Sequence, residues 1–248
     1  MKIIAVANQK GGVGKTTTTA HIAWGLAKAG KRVLGIDLDG QANFTQAILG
    51  SGLVREGAFE LFTDSPVSPI KTKHGIDILP ANEKLHDVDS FPLSHYNYCV
   101  TAIKALSADY DYIVIDTPPS LGLRLTAALA VATDVIIPIA CNWFSIAGLN
   151  KLSKTIDAVR LKINKQIEIS AYVPNLFRGT KKHKSTLELL LKRWPNTVIS
   201  TPLKYSEYIE TAVEEGHPVW EKAKLGGQRN AAANMTQVIT GILEKVGE

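Results

Sequence analysis

The chain has 248 residues, of which 45% are hydrophobic and 21% charged, and its formal net charge is +5. This length is enough to bury a full core, and the composition is ordinary for a soluble globular protein. No apolar run approaches the roughly 18 residues of a membrane span, and no basic leader precedes the first apolar segment, so we expect a cytoplasmic protein rather than a transmembrane or secreted one.

Short β-branched runs alternate along the chain with amphipathic segments of helical length. The runs are largely apolar on both faces, which is typical of parallel strands covered by helices on each side. The alternation therefore predicts an α/β fold with a doubly wound, mostly parallel sheet in a single domain over residues 1–248. Strands are predicted at 2–8, 32–39, 112–117, 134–140 and 167–174, and helices at 15–29, 95–108, 121–131, 145–163, 181–194 and 231–246.

The last of these helices places five apolar side chains on one face. A helix that lies on a membrane surface needs a polar face rich in lysine and arginine. This one offers Lys245 beside Glu244 and Glu248, so we expect it to pack on the sheet and the protein not to bind a membrane. The apolar residues are Met235, Val238, Ile239, Ile242 and Val246.

The first predicted strand leads directly into "KGGVGKTT" and then into a helix. Gly11, Gly12 and Gly14 allow backbone N–H groups to approach phosphate oxygens, towards which the helix directs its positive end. Lys15 is placed to reach the β- and γ-phosphates of a nucleotide, and Thr16 to bind Mg²⁺ through its hydroxyl. The motif departs from the usual spacing and contains a second lysine, Lys10.

Two further motifs place carboxylates at the carboxyl ends of strands. "YIVIDT" ends in Asp116, which is expected beside the glycine-rich loop and can hold Mg²⁺ directly or through water. "IDLDG" supplies Asp37 and Asp39, of which one can orient an attacking water and the other support the metal. The nearest match to a guanine-reading N-K-x-D motif, "NKQI" at 164–167, lacks the aspartate, so ATP is the expected nucleotide.

In this order, "KGGVGKTTT", "VLGIDLDGQANFT" and "YDYIVIDTPPSLG" resemble the ParA group of the MinD/ParA-type ATPases, and looser similarity continues to "STPLKYSEYIETAVEEGHPVWE". The resemblance implies an Mg²⁺-dependent ATPase with weak basal activity, which forms a sandwich homodimer on ATP and binds DNA nonspecifically. It also implies association with the nucleoid, and a ParB-like DNA-binding partner that stimulates hydrolysis to segregate plasmid or chromosome DNA.

The resemblance also assigns residues. Lys10 matches a lysine that reaches across the dimer to the nucleotide of the other subunit, and Asp39 matches the residue that positions the hydrolytic water. Gly40 stands where many relatives have proline, which predicts a looser loop. The remaining matches are a supporting acid at Asp37, an Mg²⁺-shell carboxylate at Asp116, phosphate-loop contacts at Val13 and Thr17, and adenine-flanking positions at Pro174, Asn175 and Pro202.

The positive charge lies in the C-terminal part of the chain. Residues 1–150 carry 12 basic and 13 acidic side chains, whereas residues 151–248 carry 16 and 10. This asymmetry indicates a polyanionic partner, although a solvated lysine-rich face has the same composition. The candidate DNA-binding residues are Arg178, Lys181, Lys182, Lys184, Lys192 and Arg193, with Lys204, Lys222, Lys224 and Arg229 as the alternative surface.

Two other functions use the same scaffold. One is a MinD-like ATPase that positions a cargo on a membrane or protein assembly, and the other is a metabolic or electron-transfer enzyme like the nitrogenase iron protein. The latter needs cluster-binding cysteines after the nucleotide motifs, where Cys99 and Cys141 do not fall, and we expect both to be reduced and partly buried. An operator-binding repressor is disfavoured because no helix-turn-helix precedes the first strand.

Overall fold

The computed structural model describes residues 1–50, 52, 54, 56–72 and 75–247, and it describes side chains for all of these except 143–147. Six strands in this part of the chain form one sheet in the order β3-β2-β4-β1-β5-β6, and all neighbouring strands are parallel. The predicted α/β fold is confirmed. The strands are β1 (Lys2–Val6), β2 (Val33–Asp37), β3 (Ile76–Leu79), β4 (Tyr112–Asp116), β5 (Asp134–Ala140) and β6 (Glu168–Asn175).

Alternate residues of the central strands enter two separate hydrophobic cores. Ile3 and Ala5 of β1 belong to one core, and Ile4 and Val6 belong to the other. Because successive side chains of a strand point to opposite faces, a sheet covered by helices on both sides needs apolar residues at every position. This need explains the unbroken apolar runs in the sequence.

Helices cover both faces of the sheet. The six predicted helices are present with bounds that differ by up to five residues, whereas β3 and the short helices α2, α3 and α8 were not predicted. The helices are α1 (Lys15–Lys28), α2 (Asn43–Leu49), α3 (Leu85–Val88), α4 (Tyr96–Leu106), α5 (Leu123–Val131), α6 (Trp143–Lys162), α7 (Lys181–Arg193), α8 (Glu207–Glu214) and α9 (Gly226–Lys245). Short 3₁₀ turns lie at Glu60–Phe62, Leu93–His95 and Ser107–Asp109.

The apolar face of α9 is buried, as predicted. Its five predicted core residues are at most 4% exposed, and they pack in the same core as Ile4 and Val6 of β1. Glu248 of the predicted polar face lies outside the described residues. Within the described part of the chain, no helix combines the length and the apolar character needed to cross a bilayer.

The register of the sheet brings the strand ends together. Asp37 at the end of β2 pairs with Asp116 at the end of β4, and Asp116 pairs in turn with Val6 at the end of β1. The glycine-rich loop follows the carboxyl end of β1, an inner strand of the sheet. Open α/β sheets bind their ligands at the carboxyl ends of such strands. The sheet therefore collects three motifs that are widely separated in sequence.

Candidate functional site

The glycine-rich loop between β1 and α1 depends on two left-handed glycines. Gly12 has φ +69° and Gly14 has φ +85°, a region in which a side chain is strained. Helix α1 begins at the next residue, Lys15, so its first N–H groups face the loop. The loop therefore presents backbone donors at the positive end of a helix, an arrangement that binds phosphate.

Asn175, the last residue of β6, fastens this loop to the sheet. Its Nδ2 donates to the carbonyl oxygen of Val13 at 2.7 Å, and its Oδ1 accepts from the backbone N of Leu176 at 2.7 Å. The amide also fills the space where Gly14 would carry a Cβ. Asn175 is 3% exposed and supports the loop, and its place beside the adenine stays a prediction.

Asp116 is hydrogen-bonded to the first turn of α1. Thr16 Oγ1 donates to its Oδ2 at 2.7 Å, and Thr19 Oγ1 donates to its Oδ1 at 3.0 Å. Burial raises the pKa of Asp116 despite these hydrogen bonds and the nearby charge of Lys15. The pair of Thr16 and Asp116 offers a hydroxyl and a carboxylate, which are oxygen ligands suited to Mg²⁺.

Asp37 is fully buried and is hydrogen-bonded to the backbone of Asp39. Its Oδ1 accepts from the backbone N of Asp39 at 3.0 Å, and its Oδ2 accepts from the backbone N and the hydroxyl of Thr45, both at 2.8 Å. Burial and the neighbouring Asp116 raise its pKa, against the effect of these hydrogen bonds. Of the two carboxylates, only Asp39 lines the cavity, because β2 ends at Asp37 and the chain turns into the site after it.

Lys15 is the buried cation of the site and is 7% exposed. Burial lowers the pKa of its amine, while the charges of Asp116 and Asp39 oppose that shift. A buried lysine needs compensating negative charge, which the carboxylates supply only in part. The amine is therefore suited to an anionic ligand.

A cavity of about 400 Å³ opens above the loop. Eight predicted site residues line it: Gly11, Gly12, Gly14, Lys15, Thr16, Thr17, Asp39 and Asn175. Six do not: Lys10, Val13, Asp37, Asp116, Pro174 and Pro202. Asp37 and Asp116 lie beneath the lining, and Pro174 and Pro202 are replaced in it by their neighbours Asn175 and Leu203.

The far side of the cavity was not predicted from the sequence. The chain from Leu203 to Ser206 and the first turns of α8 contribute Tyr205, Ile209 and Glu210. Leu176, a non-glycine residue with φ +54°, also lines it. Their sequence signal is weak, because Leu203 to Glu210 fall only in the looser similarity at 200–221 and tertiary packing brings them to the loop.

Lys10 lies outside the cavity of its own chain. Its side chain is exposed, its amine approaches Asn142 Oδ1 at 3.3 Å, and its backbone N donates to Asn8 Oδ1 at 3.0 Å. The loop thus holds one lysine inward and the other outward.

Gly40 follows Asp39 in a closely packed environment. The residue is buried, and a Cβ there would come within 2.6 Å of the His86 imidazole. The predicted looseness of this loop is therefore opposed by the close packing of His86, from α3, beside Gly40.

The candidate DNA-binding residues lie on one exposed surface. Lys181, Lys182, Lys184 and Lys192 project from α7, while Thr186 and Leu190 are buried beneath them. Arg193 stacks on Trp194 at 4.6 Å from the ring centre, and Arg178 stacks on Tyr205 at 3.6 Å. Tyr205 also lines the cavity, so this surface adjoins the candidate ligand site.

Both cysteines are unpaired, as predicted, and both are buried rather than partly buried. Burial raises the pKa of Cys99 to about 12 and that of Cys141 to about 11. Each is therefore a protonated thiol at neutral pH. Metal ligation and nucleophilic chemistry need the thiolate, so neither cysteine is suited to them.

A glycine-rich loop between a central strand and a helix, an inward lysine and a threonine paired with a strand-end aspartate define a P-loop nucleotide-binding protein. The AAA domain family AAA_31 matches residues 1–169, and the chain belongs to this family. The resemblance to the ParA-type ATPases is confirmed by the relatives described next.

Two relatives are similar over most of the chain. The sporulation initiation inhibitor protein Soj of Bacillus subtilis is 32% identical over 227 residues, which cover 88% of this chain and 90% of Soj. The chromosome partitioning protein ParA of Caulobacter vibrioides is 35% identical over 187 residues, which cover 71% of this chain and 70% of ParA.

Two solved structures share the fold. A putative plasmid partition protein from Borrelia burgdorferi, bound to AMPPNP, has a TM-score of 0.81 and 25% identity, with coverage of 98% of this chain and 99% of that one. A cobyrinic acid a,c-diamide synthase from Mycobacterium smegmatis, with bound ATP analogue and magnesium, has a TM-score of 0.77 and 29% identity, with coverage of 87% and 92%.

Proposed function

We propose that this protein is a partition or positioning ATPase that binds ATP and Mg²⁺, forms a homodimer on ATP and then binds DNA without sequence preference. A ParB-like DNA-binding partner would stimulate hydrolysis, and the protein would associate with the nucleoid. The observation that carries the proposal is the cavity of about 400 Å³, which is lined together by the glycine backbone, Lys15, Thr16 and Asp39. The AMPPNP bound to the Borrelia burgdorferi protein and the ATP analogue and magnesium bound to the Mycobacterium smegmatis protein support it.

The residues that line the cavity, and the two aspartates beneath its lining, would have different roles in hydrolysis. The loop N–H groups and Lys15 would bind the β- and γ-phosphates, and Thr16 and Asp116 would hold Mg²⁺, which neutralises charge on the phosphates when bound. Asp39 would orient the attacking water. Asp37 would fix Asp39, because its Oδ1 accepts a hydrogen bond from the backbone N of Asp39 at 3.0 Å.

The outward position of Lys10 supports a role in a second subunit. A cation supplied across an interface stabilises the charge that develops on the transferred phosphoryl group. Two unneutralised lysines facing each other's empty cavities would oppose assembly. Dimerisation would therefore depend on the nucleotide.

ATP binding and the role of Lys10 are separable by substitution. Lys15→Ala should abolish ATP binding, whereas Lys10→Ala should leave binding nearly intact and prevent ATP-dependent dimerisation and hydrolysis. Light scattering with and without ATP measures the dimer, and Lys151→Ala, on the exposed side of α6, is the control. Normal dimerisation of Lys10→Ala would remove Lys10 from the interface.

A mixing experiment distinguishes action in trans from action in cis. Lys10→Ala and Asp39→Ala are each expected to hydrolyse ATP poorly. In a mixed dimer, the subunit with intact Asp39 would receive Lys10 from its partner, so mixing should restore activity at one site. Without restoration, Lys10 acts within its own subunit or not at all.

DNA binding would use the basic surface of α7. Each phosphate neutralised steepens the salt dependence of the association constant by about 0.9 in log–log slope, so a few contacts per subunit make binding strongly salt-sensitive. No base-reading motif is visible in the sequence, and binding should be indifferent to sequence.

Charge reversal tests this surface. The triple variant Lys181→Glu, Lys182→Glu, Lys184→Glu should lose ATP-dependent DNA binding while ATPase activity and dimerisation persist. The matched control reverses three exposed lysines of α6, Lys151, Lys154 and Lys162. Unchanged DNA affinity of the α7 variant at low salt would move the binding surface to Lys204, Lys222, Lys224 and Arg229.

The competing functions predict different outcomes. A membrane-positioning ATPase would sediment with anionic liposomes in ATP, which the burial of the apolar face of α9 disfavours. Cosedimentation with DNA and with liposomes, each with and without ATP, decides between these two. An iron–sulfur absorption band would instead indicate an electron-transfer protein.

A further inference from the structure

Arg124, the second residue of α5, reaches from one loop of the site to the other. Its side chain is 7% exposed, and its NH1 donates to the carbonyl oxygen of Leu38 at 3.3 Å. Leu38 lies between Asp37 and Asp39, whereas Arg124 follows the loop that leaves Asp116. The guanidinium therefore links the chain between Asp37 and Asp39 to the start of α5, which follows the Asp116 loop.

Asp89, just beyond α3, fixes the position of Arg124. Its Oδ2 accepts from Arg124 NH2 at 2.8 Å, and its Oδ1 accepts from the Arg124 backbone N at 3.2 Å. Ser120 Oγ donates to the same carboxylate at 3.1 Å, and a Cβ on Gly122 would collide with it. Burial disfavours ionisation of Asp89, but the hydrogen bonds from Arg124 prevail and keep its pKa below the usual value.

The same short segment also touches the Asp39 loop directly. His86 of α3 packs on Gly40, which follows Asp39. Asp89, three residues further along the same segment, packs on Gly122 in the loop after Asp116. Residues 86–89 thus contact both loops from outside the cavity, and the buried side chain of Arg124 is hydrogen-bonded to both Asp89 and the Leu38 carbonyl.

We propose that Arg124, held by Asp89, is a positioning residue that fixes Asp39 for water activation by anchoring the Leu38 carbonyl to the loop that follows Asp116. The inference rests on the proposed ATPase function. Arg124 does not line the cavity, so it acts through Asp39 and not on the nucleotide.

The energetics favour a specific role over general stabilisation. Within the described residues, Arg124 Nε is buried without a hydrogen-bond partner. A buried guanidinium with an unsatisfied N–H is costly, and a well-packed apolar residue often stabilises a fold equally well. The costly burial of Arg124 is explained if Arg124 and Asp89 together form a clamp that sets the geometry of Asp39.

Steady-state kinetics test the proposal. Arg124→Lys keeps the charge but cannot donate to Asp89 and Leu38 with the same fork, so kcat should fall about 10- to 100-fold, as expected for a misplaced reacting group. The KM for ATP and the affinity for a nonhydrolysable analogue should stay within about twofold. Asp89→Asn should shift kcat in the same direction by a smaller factor.

Arg160 provides a matched control. It also donates to an aspartate and to a backbone carbonyl, at 3.1 Å to Asp157 Oδ1 and 2.9 Å to the oxygen of Ile167, but it lies away from the cavity. Arg160→Lys should leave kcat and KM at parental values. An Arg124→Lys variant with parental kcat, or one that loses ATP affinity in proportion to rate, would overturn the inference.

Hydrogen exchange without nucleotide separates this inference from the proposed function. The backbone N of Leu38 bonds to the oxygen of Asp116, and that of Ala42 bonds to the oxygen of Asp39. In Arg124→Lys these amides should exchange faster than in the parent, with no change at residues 11–14. If the parent does not hydrolyse ATP, the proposed function fails, and faster exchange still supports the clamp. Parental exchange at these amides refutes it.

Discussion

Asn175→Ala tests whether a strand-end amide holds the phosphate loop in shape. The substitution removes the donor to Val13 and the acceptor for Leu176, and it opens space beside Gly14. We predict that both stability and ATP affinity fall. The first loss comes from the lost hydrogen bonds and the second from the freed loop.

The magnitude follows from the two groups left behind. A buried donor or acceptor that loses its partner costs about 1–3 kcal/mol. The carbonyl of Val13 would be left buried, whereas Leu176 lines the cavity, where water can partly replace the lost acceptor, so we expect about 2–4 kcal/mol for both together. A loop that must be ordered again on binding should weaken ATP at least about tenfold, equivalent to about 1.4 kcal/mol.

Urea denaturation and ATP titration measure the two effects separately. Asn164→Ala is the control, because Asn164 also donates to backbone carbonyls, those of Leu129 at 3.0 Å and Ala132 at 2.7 Å, and accepts from Gln166 at 3.2 Å. It lies far from the cavity, so its loss should lower stability alone. The reasoning is refuted if Asn175→Ala loses stability like the control while its ATP affinity stays parental.

Three other substitutions test the site and the core. Asp39→Ala should bind ATP with little turnover and give a longer-lived complex with DNA, which a parental hydrolysis rate would contradict. Gly14→Ala forces a Cβ into a left-handed position and should weaken ATP binding at least about tenfold, whereas Gly148→Ala, at an open position of α6, should leave binding unchanged. Burial lowers the pKa of His21 to about 4, so its contribution to the free energy of unfolding, about 3 kcal/mol, is present above pH 6.5 and is lost as the pH falls towards 4. Urea denaturation across this range should give a shallower pH dependence for His21→Gln than for the parent, and equal slopes would count against the assignment.

The sequence predicted the long elements because their patterns are strong. The strands that became β1, β4 and β5 are buried on both faces and read as unbroken apolar runs. By contrast, β3 has only four residues with a charged one among them, and α8 is polar around its short buried face. Such segments are held by tertiary contacts that leave little periodicity in the sequence.

The candidate site divides in the same way. Lys15, Thr16 and Asp39 were grouped from motifs, and the sheet register explains why their loops meet. The hydrogen bond from Asn175 to Val13 and the wall at Tyr205 depend on contacts across more than 160 residues. The resemblance placed Asn175 in the site as an adenine-flanking residue, but its support of the glycine-rich loop could not be predicted, because no local pattern in the sequence reports a contact with Val13.

The link between Asn175 and Val13 also orders events during synthesis. A chain growing from its N-terminus completes the glycine loop early, but the amide that fastens it arrives 162 residues later. Until β6 joins the sheet beside β5, the loop lacks the hydrogen bond from Asn175 and is held by its local contacts alone, such as that from the Lys10 backbone N to Asn8. Nucleotide present at that moment would bind the finished molecule in preference to the unfinished one and would draw the last strand into place by mass action. A fragment ending at residue 169, the extent of the family match, would lack this step and should bind nucleotide poorly even where its strands pair correctly.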